Sequence, residues 1–358
     1  MNMLQALVHT VRDSKGVAHK KDIAIGMNAL AMAPVSDSDS ERDNPKPHHS
    51  STLVGDDCAV LKSADGSYLL FAIEGFMNEF VQDEPWFAGY CGVMVNMSDI
   101  AAMGGRATAV VDAVWTSDSA QLKQILQGMA VASARYGVPI VGGHTNARND
   151  RSQLAVSIIG TATSVLSSFE AKPGDVLMSV IDLRGQYRGA GNNWNASTEA
   201  PAERLRGDLE LLPQVAESGL AVACKDISMA GPLGTLLMML ECSGCGAEIV
   251  PEAFPRPEDV PLDRWMQTFP SFGFVFSVAP AHVEKMKKLF NSRDLLCKEV
   301  GQVVEGSKVW LKNLGEHDSE QESERELLWD FSETPLLGCE QFNKANDVVG
   351  EAYACGSV

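Results

Sequence analysis

The sequence predicts a mixed α/β (α+β) fold in two domains. One reason is size: 358 residues with 45% hydrophobic content exceed a typical domain of ~100 to 200 residues. A second is pattern, because strand-like apolar runs alternate with stripes of helical period. The third is the turn Lys172-Pro173-Gly174-Asp175, which separates two such series.

Leu4, Leu7, Val8 and Val11 fall at helical spacing, and the basic segment from His19 to Lys21 runs into another apolar stretch. A helical lead-in is expected there. Residues 34–52 are rich in Ser, Asp, Asn, Pro and His, a composition that buries too little surface to order itself. Residues 1–51 are therefore read as lead-in plus mobile loop, with His48 and His49 solvated rather than metal-bound.

The first domain is expected over 52–170. It contains a strand near 68–74, a helix near 86–103, a strand near 107–115 and a helix near 119–136. Leu122, Ile125, Leu126 and Met129 give that last helix an i, i+3, i+4, i+7 stripe, and Gly137 ends it. Strands near 138–141 and 154–162 complete the unit. The second domain, 171–312, opens with a strand at 176–181. Helices near 202–218 and 233–241 and strands near 221–227, 272–278 and 299–304 follow. Between Arg184 and Pro201 a Gly- and Asn-rich stretch containing Trp194 reads as a long loop. Residues 313–358 read as an acidic, solvated tail, with Glu316, Asp318, Glu320, Glu322, Glu324 and Glu326 close together.

Lys and Arg number 29 against 47 acids, a formal net charge of -18. That field repels phosphate backbones and anionic lipid surfaces, so neither nucleic acid nor a membrane is an expected partner. ATP stays compatible, since carboxylates hold its phosphates through bridging magnesium. No apolar run reaches the ~20 residues of a membrane span, and no signal-peptide pattern opens the chain. A cytoplasmic location is expected. The eight cysteines show no framework spacing and read as buried thiols. Cys242 and Cys245 form a CxxC that follows a leucine-striped helix instead of opening one, so they read as packing.

Chemistry is expected where polar groups interrupt apolar segments. Gly55-Asp56-Asp57-Cys58 puts two acids behind a glycine, a hard-cation motif that by itself is also an ordinary turn. Asn96, Ser98 and Asp99 sit in the apolar run 93–103 ahead of Gly104 and Gly105. Buried polar groups need partners, so that combination points to a ligand-facing helix end. Gly142, Gly143, His144 and Thr145 follow a short apolar strand, the usual setting of a ligand-binding loop.

Taken together, GDDCAVL at 55–61, VNMSDIAAMGG at 95–105, VGGHT at 141–145, AKPGD at 171–175 and KDIS at 225–228 resemble the aminoimidazole ribonucleotide (AIR) synthetase-like superfamily. Its members include thiamine monophosphate kinase, selenophosphate synthetase and the hydrogenase maturation carbamoyl dehydratase. The chain looks closest to the AIR synthase-like branch encoded beside nitrilases. The resemblance spans about 52–312. It implies an N-terminal ATP-binding and dimerisation domain, a C-terminal α/β domain beside it, and nucleotide at the boundary of a homodimer. By carry-over, Asp56, Asp57, Asp99 and Asp226 would bind magnesium, with Asp57, Asp99 and Asp226 at the catalytic centre. Gly55, Asn96 and the Gly142 to Thr145 loop would line the phosphate site, and Lys20 is a further phosphate contact.

The chain departs from the kinase pattern in three places. Glu74 stands where that enzyme has aspartate, and is a metal candidate with a longer reach. His144 replaces an acid. Pro270 to Phe274 replaces an acidic segment, which argues against thiamine phosphate. The expected function is ATP- and Mg-dependent phosphorylation, or activation through a phosphoryl intermediate, of a small oxygen-bearing metabolite. The alternative is a non-catalytic nucleotide-binding regulatory paralogue.

Overall fold

The computed structural model describes residues 2–31, 53–189, 191–314 and 325–339. The expected mobile loop at 34–52 and the acids Glu316, Asp318, Glu320, Glu322 and Glu324 lie outside the described residues.

Helix α1 (Met3–Arg12) buries the predicted stripe of Leu4, Leu7, Val8 and Val11. A capping box starts it: Gln5 N–H donates to the Asn2 side chain, and the Gln5 side chain accepts from Asn2 N–H. Helix α2 (Lys15–Ala31) follows.

The N-terminal sheet takes β1 (Ala59–Lys62), β2 (Tyr68–Gly75), β3 (Arg106–Trp115), β4 (Ile140–Asn146) and β5 (Gln153–Ala162), in the order β1-β2-β5-β3-β4. Helices α3 (Asn78–Asp83) and α4 (Pro85–Ala102) lie between β2 and β3, and α5 (Ser119–Tyr136) between β3 and β4. Strand alternation divides the sheet. Leu70, Ala72, Val110, Val114, Val156 and Ile158 point into the core with α4 and α5, whereas Leu61, Phe71, Ile73, Val111 and Ile159 are exposed on the opposite face. Glycines let the two helices touch: a Cβ on Gly89 would stand 2.0 Å from the Ile125 carbonyl oxygen, and one on Gly128 1.9 Å from that of Trp86. Buried on almost every side, α4 carries Asn96, Ser98 and Asp99 into the interior.

The C-terminal domain contains β6 (Val176–Ile181), β7 (Gln186–Tyr187), β8 (Asn193–Asn195), α6 (Ala202–Leu209), α7 (Leu211–Glu217), β9 (Ala223–Asp226), α8 (Gly231–Ser243) and β10 (Gly246–Ile249). Then come α9 (Leu262–Trp265), β11 (Phe269–Pro270), β12 (Gly273–Val278), α10 (Val283–Asn291), β13 (Leu296–Val304), β14 (Lys308–Lys312) and β15 (Arg325–Asp330). Seven strands form the sheet β15-β14-β10-β13-β6-β12-β9. One face, with Met178, Val180, Phe274 and Phe276, joins the core of the first domain. The other, with Leu177, Ile181 and Val275, packs with α1 and α8. This continuity sets the end of β9 against α4.

Three expectations change. The single helix near 202–218 is two helices meeting at Glu210, because Pro213 lacks an N–H and in a continuous helix would clash with the carbonyl of residue 209. The loop between Arg184 and Pro201 carries β7 and β8, which join β11 in a small sheet. Its Trp194 is buried and donates its indole N–H to the Asp182 carbonyl at 3.1 Å, so it serves packing. The acidic tail is in part structural: β15 pairs antiparallel with β14, Leu328 and Trp329 are buried, and Arg12 donates to the carbonyls of Leu327 and Leu328. Beyond it, the backbone N–H groups of Leu336, Leu337 and Gly338 donate to the buried Glu241 carboxylate. Among the described residues, no helix is long and apolar enough to cross a membrane.

Candidate active site

Asp57 precedes β1, Asp99 lies in the last turn of α4, and Asp226 ends β9. Each offers a carboxylate oxygen, and the three oxygens lie within 4.8 Å of one another. Asp99 Oδ2 is buried and has no hydrogen-bond partner. The Asp226 N–H donates to Asp57 Oδ2 at 3.4 Å, and the Lys225 ammonium pairs with Asp57 Oδ1.

For Asp99, Asp226 and Glu74 burial is the largest influence, and neighbouring acids add to it. The Asp99 carboxyl is held well above the carboxylate range by burial and then by Asp226, Glu74 and Asp57. Asp226 is pushed up to about 7 by burial and Asp57, with Lys225 and Lys20 opposing. Glu74 is raised by loss of water around its carboxyl and by Asp57, against Lys20. Crowded carboxylates with an unpartnered buried oxygen form a site short of positive charge, and a hard divalent cation fits that donor set.

The family described as AIR synthase related protein matches with its N-terminal domain at residues 55–164 and its C-terminal domain at 172–312. The chain belongs to the AIR synthase related family. An uncharacterized protein of Synechocystis sp. is 40% identical over 337 residues, covering 94% of this chain and 98% of that one. An uncharacterized protein of Methanocaldococcus jannaschii is 32% identical over 341 residues, covering 94% and 99%. Among solved structures, T. maritima PurL complexed with ATP superposes with a TM-score of 0.63 at 18% identity, covering 78% of this chain. The chain spans 46% of that PurL chain. AaThiL complexed with AMPPCP and TMP superposes with a TM-score of 0.57 at 18% identity, covering 76% of this chain and 91% of that one. At such identities the likeness is one of fold.

In this AIR synthase related protein the remaining expected residues are spread more widely. Asp56, expected as a metal ligand, stands outside the group of three. Its carboxylate accepts from Ser167 Oγ at 2.8 Å, from Ser168 N–H at 3.0 Å and from Ser168 Oγ, so it ties the acid segment to the strand-to-strand connection after β5. Gly55 has φ +133, and a Cβ there would stand 2.8 Å from Cys339 Cβ. It lets the segment pass between Cys339 and Cys242. Asn96 is fully buried; its amide nitrogen donates to the Gly92 carbonyl at 2.8 Å and the Val156 carbonyl at 3.1 Å, pinning α4 to β5, while Oδ1 has no partner.

Gly142, Gly143, His144 and Thr145 do not form the expected loop. They continue β4, hydrogen-bonded parallel to β3, and lie exposed at the edge of the sheet, with the His144 ring 6.3 Å from that of Trp115. Two glycines in a strand are unusual, and Gly143 is explained by Asp112: a Cβ would stand 2.4 Å from its Oδ2. Glu74, at the end of β2, keeps part of its side chain open to solvent while its carboxyl is crowded by the acid group, and it and Lys20 of α2 act on that group through charge. Arg184 pairs with Asp182 and Asp208 and Arg188 with Glu84, so both serve the scaffold.

Sequence reasoning gave no role to Lys225, which is 4% exposed. The signal was there: a lysine between Cys224 and Asp226 in a strand otherwise made of Ala and Cys. Such a charge is buried only with a partner. Ser167 and Ser168 carried no comparable signal.

Proposed function

We propose that this protein is an ATP- and magnesium-dependent enzyme that phosphorylates, or activates through a phosphoryl intermediate, a small oxygen-bearing metabolite such as an amide or carboxylate. The observation that carries the reading is the convergence of Asp57, Asp99 and Asp226 from three distant segments on one spot, with an unpartnered buried oxygen on Asp99. Those three acids would hold magnesium, and Glu74, whose charge acts on Asp99 and Asp226, would add to the negative field around it. Bound magnesium would bridge ATP phosphates and neutralise the charge that develops in phosphoryl transfer. Lys20, half-buried on α2, would contact phosphate. Relatives found with ATP or AMPPCP in solved structures support nucleotide binding.

The second part of the reading is a homodimer. The exposed apolar face of the first sheet, with Leu61, Phe71, Ile73, Val111 and Ile159, supports a second copy as its cover. The edge strand carrying Gly142 to Thr145 borders that face and would line the phosphate site across the subunit boundary.

The regulatory alternative draws on one observation. Where the kinase pattern is acidic, Ser271, Phe272 and Phe274 are buried as packing, so no acid is available there for an acceptor. Calorimetry with ATP, with and without magnesium, followed by an ADP-release screen over small metabolites, separates the two. An enzyme turns ATP over with some acceptor; a regulator binds ATP and never turns it over. No magnesium-dependent ATP binding would defeat both.

A further inference from the structure

Lys225 differs from Lys20, the other lysine whose charge acts on these acids. It is 4% exposed, so its ammonium is shut away from any phosphate arriving through solvent, whereas Lys20 keeps partial exposure. Its partner is Asp57 Oδ1, which leaves Asp57 only Oδ2 for a cation. With Oδ1 held by the ammonium, Asp57 has one oxygen left and does not bridge two cations through its two oxygens. Asp56, the other acid beside Lys225, is committed to Ser167 and Ser168.

We propose that Lys225 is a fixed internal cation that holds Asp57 in position and occupies the place of a second divalent ion. The nucleotide-free site then takes one divalent cation per protomer. Lys225 is a positioning residue, since it acts on the cation through Asp57. The inference rests on the reading of Asp57, Asp99 and Asp226 as a cation site.

The test is a manganese titration of the full-length protein without nucleotide, following the electron paramagnetic resonance signal of free Mn2+, paired with thermal denaturation in EDTA and in Mn2+. The wild type is expected to take up one ion per protomer. Lys225→Met is expected to take up two, and to melt well below the wild type in EDTA, because Asp57 is left buried beside other acids without a countercharge. Mn2+ should then raise its melting temperature by more than it raises that of the wild type. Lys225→Arg should keep the one-ion stoichiometry.

A wild type that loads two ions overturns the inference regardless of any variant. So does a Lys225→Met protein that binds one ion with unchanged affinity and whose lost stability Mn2+ does not restore. If Lys225→Met folds only when Mn2+ is present, the ion is replacing the ammonium and the inference stands; if it folds in neither condition, the inference falls. A wild type with no saturable Mn2+ uptake refutes the cation site itself, a failure distinct from those of Lys225.

Discussion

The Ser168 backbone N–H lies 3.0 Å from Asp56 Oδ1, so of two adjacent acids one is bound to the connection after β5 while Asp57 faces the cluster. The consequence is a split between neighbours. Asp56→Ala strands the Ser167 and Ser168 donors, which should cost about 1 to 3 kcal/mol of stability while leaving Mn2+ affinity of the folded protein within about threefold. Asp57→Asn should instead weaken Mn2+ binding by at least about tenfold, the loss of one charged ligand, and it also lowers stability because Lys225 is left buried without its partner. Urea midpoints and Mn2+ titrations on both variants check this; equal loss of metal affinity would return Asp56 to the ligand set.

Asp99 shows how a site resists its own fold. Its carboxyl is buried, has an oxygen without a partner, and is repelled by Asp226, Glu74 and Asp57. Neutralising it relieves that repulsion. Asp99→Asn is therefore expected to melt at or above the wild-type temperature in EDTA, yet to bind Mg-ATP at least about tenfold more weakly. Calorimetry and thermal denaturation measure the two effects separately. A variant that loses stability and keeps its affinity would mark Asp99 as an ordinary core residue.

If the acids hold a metal as proposed, protons compete with it for the same oxygens. The unfolded chain has Asp226 at its ordinary 3.8, whereas the fold raises it to about 7. Between those values the folded state binds more protons than the unfolded one, so stability falls as pH rises. The slope from this group is at most ~1.4 kcal/mol per pH unit, and Asp99 and Glu74, also raised, act in the same direction. Urea midpoints in EDTA at about pH 5 and about pH 7.5 should show the decline. Saturating Mg2+ should remove it, because metal binding displaces the protons and strengthens with pH. A metal-free midpoint that rises over this interval would contradict the cluster's electrostatics.

Much of this architecture could be read from residue patterns. The stripe of Leu122, Ile125, Leu126 and Met129, with Gly137 after it, marks α5, and the structure shows that both its ends are local: Asp118 caps Ala120 and Gln121 and Gly137 has φ 76. Asp99 stands out as an acid in an apolar run and Asp57 as one of two acids behind Gly55, whereas Asp226 is marked only by the family resemblance that KDIS carries. What could not be read depends on partners distant in sequence. Nothing local tells Asp56 from Asp57; Ser167 and Ser168 decide which one turns away. Likewise Leu327, Leu328 and Trp329 were hidden by surrounding acids, and their role as part of β15 depends on β14 and on Arg12 of α1. The strand through Gly142 to Thr145 is stabilised by pairing with β3, against the glycines' own preference.

Gly55 offers a test of the acid segment's backbone. Its φ of +133 is one that residues with a side chain rarely adopt, and a Cβ would meet Cys339 Cβ at 2.8 Å and Cys242 Sγ at 3.1 Å. Gly55→Ala should therefore cost about 1 to 3 kcal/mol from backbone strain alone, with crowding added. Urea denaturation gives the number; a neutral substitution would mean that the segment adopts another path.

The exposed sheet face provides the test of assembly. Ile73 is 66% and Phe71 47% exposed on the isolated protomer, although both lie mid-strand beside core residues, where exposure of large apolar side chains is unfavourable. In a twofold dimer the same patch meets itself, so one substitution per chain enters the interface twice. Ile73→Asp would bury two unpaired carboxylates there, and association should weaken by at least ~100-fold, the scale of a central interface residue. Leu296, 40% exposed on β13 of the other domain, serves as the control: Leu296→Asp should leave the mass unchanged. Sedimentation at micromolar protein then has a definite outcome. A wild type of monomer mass, or a dimer indifferent to Ile73→Asp, would mean that the face is covered by something other than a second copy.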